Sequence, residues 1–180
     1  MTKREELKSL VQKDAVRHGH FILASGKESD IYVDLRKVTL NPKGATLIGE
    51  LITDIIKDRG VDAIGGLTMG ADPIALATSM LALAAGKHIN AFVVRKEKKA
   101  HGTMGWIEGP IEPGDKAVVV EDVITTGSSA IKAIERLKES GVVVDMVVAV
   151  LDRNEGGREA IEALGYPVQA LLNRSDLSDE

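Results

Sequence analysis

The sequence predicts an α/β fold with a mostly parallel central sheet and helices on both of its faces. Segments with strand and helix patterns alternate along most of the chain. The predicted strands, such as KAVVV (116–120) and VVVDMVVAVLD (142–152), consist almost wholly of apolar residues, as expected for strands covered on both sides. The 180 residues suit one domain with a substantial core.

The N-terminal part is predicted to hold a helix, two short strands and a second helix. Residues 5–17 have an amphipathic helical pattern. HFIL (20–23) and DIYVDLR (30–36) are predicted strands on either side of a turn. The second helix begins at the Asn-Pro pair and covers about 42–59, because Pro favours a first turn and Gly60 favours an end.

The rest of the chain alternates between apolar strands and helices bounded by glycine or proline. In order, we expect a strand at 61–66, a helix at 71–86, a strand at 89–94, an irregular stretch at 95–115, a strand at 116–120, a helix at 127–141, a strand at 142–152, a helix at 156–165 and a strand at 167–172. Ligands of such sheets bind at the carboxyl ends of the strands, so the loops there are the candidates for a site.

Composition excludes several classes of protein. The net charge of -4 argues against a nucleic-acid partner. The absence of cysteine excludes a disulfide framework and a thiolate nucleophile. The charged N-terminal pattern is not that of a signal peptide, and no apolar run approaches the ~18 residues of a membrane span. We therefore expect no membrane association and a cytoplasmic location.

The stretch AVVVEDVITTGSSA (117–130) joins an acid pair to a hydroxyl-rich loop. Glu121 and Asp122 follow a buried strand, and Gly127 begins a helix whose free N–H groups form an anion site. Carboxylates accept hydrogen bonds from sugar hydroxyls, whereas the N–H groups and loop hydroxyls suit a phosphate. A ribose 5-phosphate satisfies both. The alternative is a plain N-cap, with a serine or threonine before the helix and the acids in solvent.

The same stretch resembles the phosphoribosyl-diphosphate (PRPP) signature of the type I phosphoribosyltransferases. In that family the acid pair holds the ribose 2- and 3-hydroxyls, and the loop wraps the 5-phosphate. The resemblance implies PRPP-binding roles for Glu121, Asp122, Val123, Ile124, Thr125, Thr126, Gly127, Ser128 and Ser129. It also implies the type I phosphoribosyltransferase fold, with a small N-terminal hood in about 1–40 of a single domain spanning 1–180.

RKEKKAHG (95–102) resembles the mobile catalytic loop of orotate phosphoribosyltransferases, which is expected here at about 95–110. Matched residue by residue, the PRPP-binding positions fall on Arg95, Lys96, Lys99 and His101. Cations are the groups that a diphosphate requires, and the glycines that follow permit motion. The alternative is a basic loop that is merely solvated.

FILASGKESDIYVDLR (21–36) resembles the hood segment of the same enzymes. The resemblance implies that Tyr32 and Val33 lie over the orotate ring. The alternative is a half-buried surface hairpin.

LDRNEGG (151–157) supplies a candidate for recognition of the base. By resemblance, Arg153 meets the orotate carboxylate and Thr125 contacts the base. A guanidinium suits a planar carboxylate because it donates two parallel hydrogen bonds. The alternative is a surface arginine that pairs with Asp152 or Glu155.

GGLTMGADP (65–73) fits the loop that grips the pyrophosphate, which makes Thr68, Gly70 and Asp72 weaker candidates. A tight strand-to-helix turn is the alternative.

The chain departs from some family members at three places. Ala24 replaces a lysine of the hood, Met69-Gly70 replaces Tyr-Lys, and Ala100 replaces an acid before the histidine. Whether Lys27 supplies the missing charge is left open.

The resemblance as a whole implies transfer of the phosphoribosyl group of PRPP to orotate, giving orotidine 5-monophosphate and pyrophosphate in de novo pyrimidine (UMP) biosynthesis. Lys99, His101 and Asp122 are the expected catalytic residues. Mg2+ is expected as cofactor, held mainly by PRPP without direct protein ligands. A homodimer whose loops act in trans is also implied. Two alternatives stay open: a phosphoribosyltransferase for another base, such as a purine, and a transcription regulator that senses PRPP.

Overall fold

The computed structural model describes residues 1–22, 26, 28–98 and 105–177. Its elements are α1 (Lys3–Asp14), β1 (Val16–Ile22), β2 (Glu28–Val33), α2 (Arg36–Thr39), α3 (Pro42–Ile56), β3 (Ala63–Leu67), α4 (Asp72–Ala84), β4 (Asn90–Val94), β5 (Ile107–Glu108), β6 (Lys116–Ile124), α5 (Ser128–Glu139), β7 (Val143–Asp152), α6 (Gly157–Glu162), β8 (Val168–Asn173) and a 3-10 helix (Arg174–Leu177).

The predicted α/β fold is confirmed. Six strands form one sheet in the order β5-β4-β3-β6-β7-β8. All neighbours are parallel except β5, which pairs antiparallel with the edge of β4. The strands β1 and β2 form a separate antiparallel hairpin. The carboxyl ends of β3, β4, β6 and β7 therefore lie along one side of the sheet, where the loops with polar residues leave it.

The core lies on both faces of the sheet, as the apolar strands predict. Along β6 the fully buried valines alternate in direction. Val118 and Val120 pack with residues of α1, α3 and α4, such as Ile48, whereas Val119 packs with residues of α5, such as Leu137. Each face thus has its own layer of helices, and β6 is fixed between them.

Capping residues fix the starts of two helices: α1 begins at Lys3, before the predicted start at residue 5, whereas α3 begins at Pro42 as predicted. Thr2 caps α1, since its side chain accepts from the N–H of Glu5 while the Glu5 carboxylate accepts from the N–H of Thr2. Asn41 caps α3 by accepting from the N–H of Lys43, and Pro42 occupies the first turn.

Several predicted boundaries were wrong. The helix expected over 5–17 ends at Asp14, because Val16 already pairs with Val33 of β2. Two short helices, α2 and the 3-10 helix, were not predicted, and Arg36 begins α2 instead of ending a strand. The strand expected at 116–120 continues to Ile124, because pairing with β7 extends that far.

In the described part of the chain, no helix is long and apolar enough to cross a bilayer.

Candidate active site

The acid pair lies within the last part of β6. Glu121 pairs with Ala149 of β7 and is only 6% exposed. Its Oε2 makes no hydrogen bond to any described residue. Burial, together with the adjacent charge of Asp122, raises the pKa of the Glu121 carboxyl to about 9. Glu121 therefore carries a proton at neutral pH and can donate a hydrogen bond as well as accept one.

Asp122 is less buried than its neighbour and takes a different position. Its Oδ1 accepts a hydrogen bond from the N–H of Val123 at 2.8 Å. Its carboxylate also lies beside Gly70, where a Cβ would come within 2.8 Å of Oδ1. The loop after β3 is thus in direct contact with the acid pair.

The loop after β6 has the form of an anion site. Gly127 precedes α5 with φ 79°, and no side-chain hydrogen bond caps the helix among the described residues. This excludes the plain N-cap interpretation and leaves the first N–H groups of a 12-residue helix available. Gly157 packs against the loop, since a Cβ there would come within 2.5 Å of the Thr125 carbonyl and 2.6 Å of the Gly127 nitrogen.

One cavity of about 330 Å³ joins these elements. It is lined by Val33, Asp34, Leu35, Arg36, Leu67, Thr68, Met69, Gly70, Lys96, Glu121, Asp122, Val123 and Ser129. The structure thus brings together predicted site residues from the hairpin, the loop after β3, the loop after β4 and the acid pair. The predicted residues Thr125, Thr126 and Gly127 lie in the adjoining loop, Ser128 begins α5, and Ile124 is buried in the core.

Sequence reasoning missed Arg36 and Asp34. The Nε of Arg36 lies 2.8 Å from Oδ1 of Asp34, and this hydrogen bond lowers the pKa of the Asp34 carboxyl. Arg36 is exposed at the cavity wall, which brings a fixed positive charge to the site. The sequence did contain a signal for Arg36, because it lies in DLRK (34–37), directly after Tyr32 and Val33, which were assigned to the base.

The loop after β3 contains two of the weaker candidates in contact. The hydroxyl of Thr68 donates to Oδ2 of Asp72 at 2.7 Å. Asp72 Oδ1 is buried and has no partner within the described ranges. The peptide bond between Thr68 and Met69 is cis.

The basic stretch after β4 is described only in part. Lys96 lines the cavity. The preceding residue, Arg95, forms an ion pair with Glu108, with Nη1 3.0 Å from Oε1. The predicted catalytic residues Lys99 and His101 lie outside the described residues, as does Lys27 of the hairpin turn.

Arg153 is buried rather than on the surface. It is 7% exposed, and its Nε lies 3.0 Å from Oε1 of Glu155, although the geometry is not that of a hydrogen bond. Its backbone N–H donates to the Ile124 carbonyl at 3.0 Å, next to Thr125. The pairing with Glu155 agrees with the alternative interpretation, whereas the burial of the guanidinium does not.

The side chain of Arg153 faces a second cavity, of about 550 Å³. This cavity is lined by Gly19, His20, Glu28, Ser29, Asp30, Arg153, Glu155 and Arg174. Val33, at the end of the same hairpin, lines the first cavity. Tyr32 contacts Phe21, with ring centroids 5.7 Å apart, and is 41% exposed.

The described residues contain no group of three or more His, Asp or Glu side chains placed to hold a metal ion. A metal that arrives on a phosphorylated substrate needs only one or two protein carboxylates. Asp122 supplies one such carboxylate at the cavity, so the site fits a Mg2+ that is held mainly by the substrate.

A family model described as a phosphoribosyl transferase domain matches residues 35–169. With the sheet topology, the buried acid pair and the uncapped helix after it, this match makes the chain a phosphoribosyltransferase. Orotate phosphoribosyltransferase of Aquifex aeolicus is 47% identical over 180 residues, covering 98% of each chain. The Mycobacterium tuberculosis orotate phosphoribosyltransferase in complex with Fe(III) dicitrate has a TM-score of 0.89 and 44% identity, covering 99% of this chain and 100% of that one.

A structure of the same Mycobacterium tuberculosis enzyme in complex with PRPP has a TM-score of 0.84 and 40% identity, covering 98% of this chain and 99% of that one. The chain belongs to the orotate phosphoribosyltransferase family.

Proposed function

We propose that the chain transfers the 5-phosphoribosyl group of PRPP to orotate, giving orotidine 5-monophosphate and pyrophosphate in pyrimidine biosynthesis. The observation that carries the proposal is one cavity lined by both Asp122 and Ser129. It offers carboxyl groups for ribose hydroxyls beside the first turn of a helix for a phosphate. Residues 1–180 form the catalytic domain, with the hairpin of β1 and β2 in the hood.

The acid pair orients the ribose and favours the positive charge that develops on it. The bond from C1 to the pyrophosphate oxygen breaks as the base nitrogen approaches, so the sugar becomes cationic. Asp122 is in reach of the cavity as an acceptor for ribose hydroxyls. Glu121 holds a proton, since the pKa of its carboxyl is raised to about 9, and it completes the hydroxyl contacts without adding a second charge.

The leaving pyrophosphate is held by cations and backbone N–H groups. Lys96 and Arg36 line the cavity, and Arg95 is assigned to the pyrophosphate by its match to the family loop. Lys99 and His101 are assigned to the same task by their match to the family loop, His101 as the proton donor to the leaving group. Thr68, Gly70 and Asp72 form the loop that contacts the pyrophosphate. When bound with PRPP, Mg2+ would supply positive charge for the phosphate oxygens.

Recognition of orotate is assigned to Arg153, Thr125, Tyr32 and Val33. Arg153 is buried, its backbone N–H donates to the carbonyl just before Thr125, and among the described residues its Nε lies near Oε1 of Glu155. A carboxylate on the base offers the guanidinium a bidentate partner, which is a stronger acceptor arrangement than the present contact with Glu155. A purine has no such carboxylate, so the contact between Arg153 and the carboxylate also makes the site selective for orotate over purines.

The functional unit is a homodimer. On α4, Leu76, Met80 and Leu83 are 57%, 64% and 62% exposed and share one helical face by their spacing. Met69, which lines the cavity, is 58% exposed. A second copy covers this apolar face most simply in a two-fold dimer. The partner's loop then reaches the cavity in trans.

A cytoplasmic location is part of the proposal, since a substrate with so many phosphate charges does not cross a bilayer unaided.

The choice of base is tested by a panel of bases at fixed PRPP and Mg2+. We expect pyrophosphate release with orotate and none with adenine, guanine or hypoxanthine. Release with a purine but not with orotate would overturn the assignment of the base.

A further inference from the structure

Arg136 on α5 joins the two ends of the segment that leaves β4 and returns at β5. Its Nη1 donates to the carbonyl oxygen of Arg95, and its Nη2 donates to that of Lys96 at 3.0 Å. Its guanidinium carbon lies 4.1 Å from the centroid of the Trp106 ring. Arg95 and Trp106 are themselves joined, because the Arg95 N–H donates to the Trp106 carbonyl at 2.8 Å.

Trp106 adds a second attachment to the same helix. Its Nε1–H donates to Oε2 of Glu139 at 2.9 Å. Side chains from the last turn of α5 therefore hold the chain just after β4, at Arg95 and Lys96, and just before β5, at Trp106. The first turn of the same helix carries Ser129, which lines the cavity.

Only arginine suits this position. Its planar fork donates to two neighbouring carbonyls at once while its face stacks on an indole. A lysine keeps the charge but has no planar fork with which to bridge both carbonyls and stack on the ring. Because a carbonyl belongs to the backbone, the hydrogen bond to Lys96 fixes where the Lys96 side chain starts.

We propose that Arg136 is a positioning residue for PRPP binding that acts through Lys96. It holds the backbone of Lys96, a residue that lines the cavity together with Asp122 and Ser129. This inference rests on the proposed function in one respect, that the cavity holds PRPP. In this way α5 has two roles: its first turn binds the 5-phosphate, and Arg136 in its last turn positions Lys96 for the pyrophosphate.

The test is a double-mutant cycle with Arg136→Lys and Lys96→Gln, read as the dissociation constant of PRPP with Mg2+ by calorimetry without a base. Lys138→Gln is the matched control, because Lys138 is the other basic residue in the last turn of α5 and is exposed. We expect each single variant to weaken PRPP binding about tenfold and the control to match the parent. The double variant should bind no more weakly than Lys96→Gln alone.

Trp106 provides a separate signature, since it is the only tryptophan in the chain. Arg136→Lys should change its emission without ligand, whereas Lys138→Gln should not. Parent affinity in Arg136→Lys, parent affinity in Lys96→Gln, or two losses that multiply in the double variant would each overturn the inference. The inference would also be overturned if the variants bound PRPP like the parent at a temperature well below all their melting points, because partial unfolding would then explain the loss of affinity. A chain that binds PRPP but converts no orotate would contradict the proposed function alone.

Discussion

Gly70 and Asp122 are in contact across the cavity, and the contact leaves no room for a side chain at Gly70. A Cβ there would lie 2.8 Å from Oδ1 and 3.1 Å from Oδ2 of Asp122. Gly70 is not among the residues with positive φ, so alanine is compatible with its backbone. The glycine is therefore required by the carboxylate opposite it rather than by the turn.

Gly70→Ala should displace the Asp122 carboxylate and weaken PRPP binding about tenfold or more, with little change in melting temperature. The displaced group is the carboxylate at the end of the Asp122 side chain, which lines the cavity, so the packed core is not involved. Calorimetry with PRPP and Mg2+ measures the effect. The control is the same change in an Asp122→Ala background, where it should have no further effect. An equal loss in both backgrounds would show that Gly70 acts independently of Asp122.

Glu121→Gln should stabilise the protein increasingly as pH rises. The unfolded Glu121 carboxyl loses its proton near its ordinary pKa of 4.5, whereas the folded one keeps it to about 9. Between these values the folded state binds more protons, so the free energy of unfolding of the parent falls with pH. The slope from this group is at most about 1.4 kcal/mol per pH unit. Glutamine does not titrate and removes this slope.

The measurement is denaturant unfolding of both proteins at pH 5 and pH 8. The advantage of the glutamine variant should be larger at pH 8. A difference between the two proteins that stays constant with pH would mean that Glu121 ionises normally in the folded state.

Arg153→Ala should raise the KM for orotate far more than the KM for PRPP. Losing a charge-assisted bidentate contact costs about 2–4 kcal/mol. Arg174→Ala is the control, since Arg174 lines the same second cavity but pairs with the exposed Asp30. An unchanged KM for orotate in Arg153→Ala would remove this residue from the base site. Arg153 would then be only a buried ion-pair partner of Glu155.

Mixing two inactive variants tests whether the loop acts in trans. Lys99→Ala and Asp122→Ala proteins are each expected to be nearly inactive. After subunit exchange, half the dimers are mixed, and one site in each of these has both intact residues. About one quarter of all sites should therefore regain activity. No recovery with proven exchange would place Lys99 in the site of its own subunit.

The parallel sheet was predictable because strands buried on both faces must be apolar, as in 116–120 and 142–152. The boundary between α1 and β1 was not, because the pairing of Val16 with Val33 overrides a helical pattern in the sequence. The position of the acid pair near the carboxyl end of a buried strand was predictable from the apolar run before it. The proton on Glu121 depends on burial by neighbours that are distant in sequence, which no local pattern records.

The same limit applies to residues that act at long range. Arg153 was identified by its match to a family position, but the burial of its guanidinium depends on how the folded chain packs around it. Arg136 binds carbonyl groups 41 and 40 residues away in sequence. Any backbone carbonyl can accept such a bond, so the sequence contains no signal for it.

The most direct test of the account is the loss of orotate absorbance when the protein is given PRPP and Mg2+. We predict that orotate disappears with formation of an equal amount of orotidine 5-monophosphate. The rate should fall sharply when Mg2+ is chelated and should be nearly abolished in a folded Asp122→Asn variant. Stable orotate absorbance with the folded parent protein, PRPP and Mg2+ all present would contradict the assigned reaction.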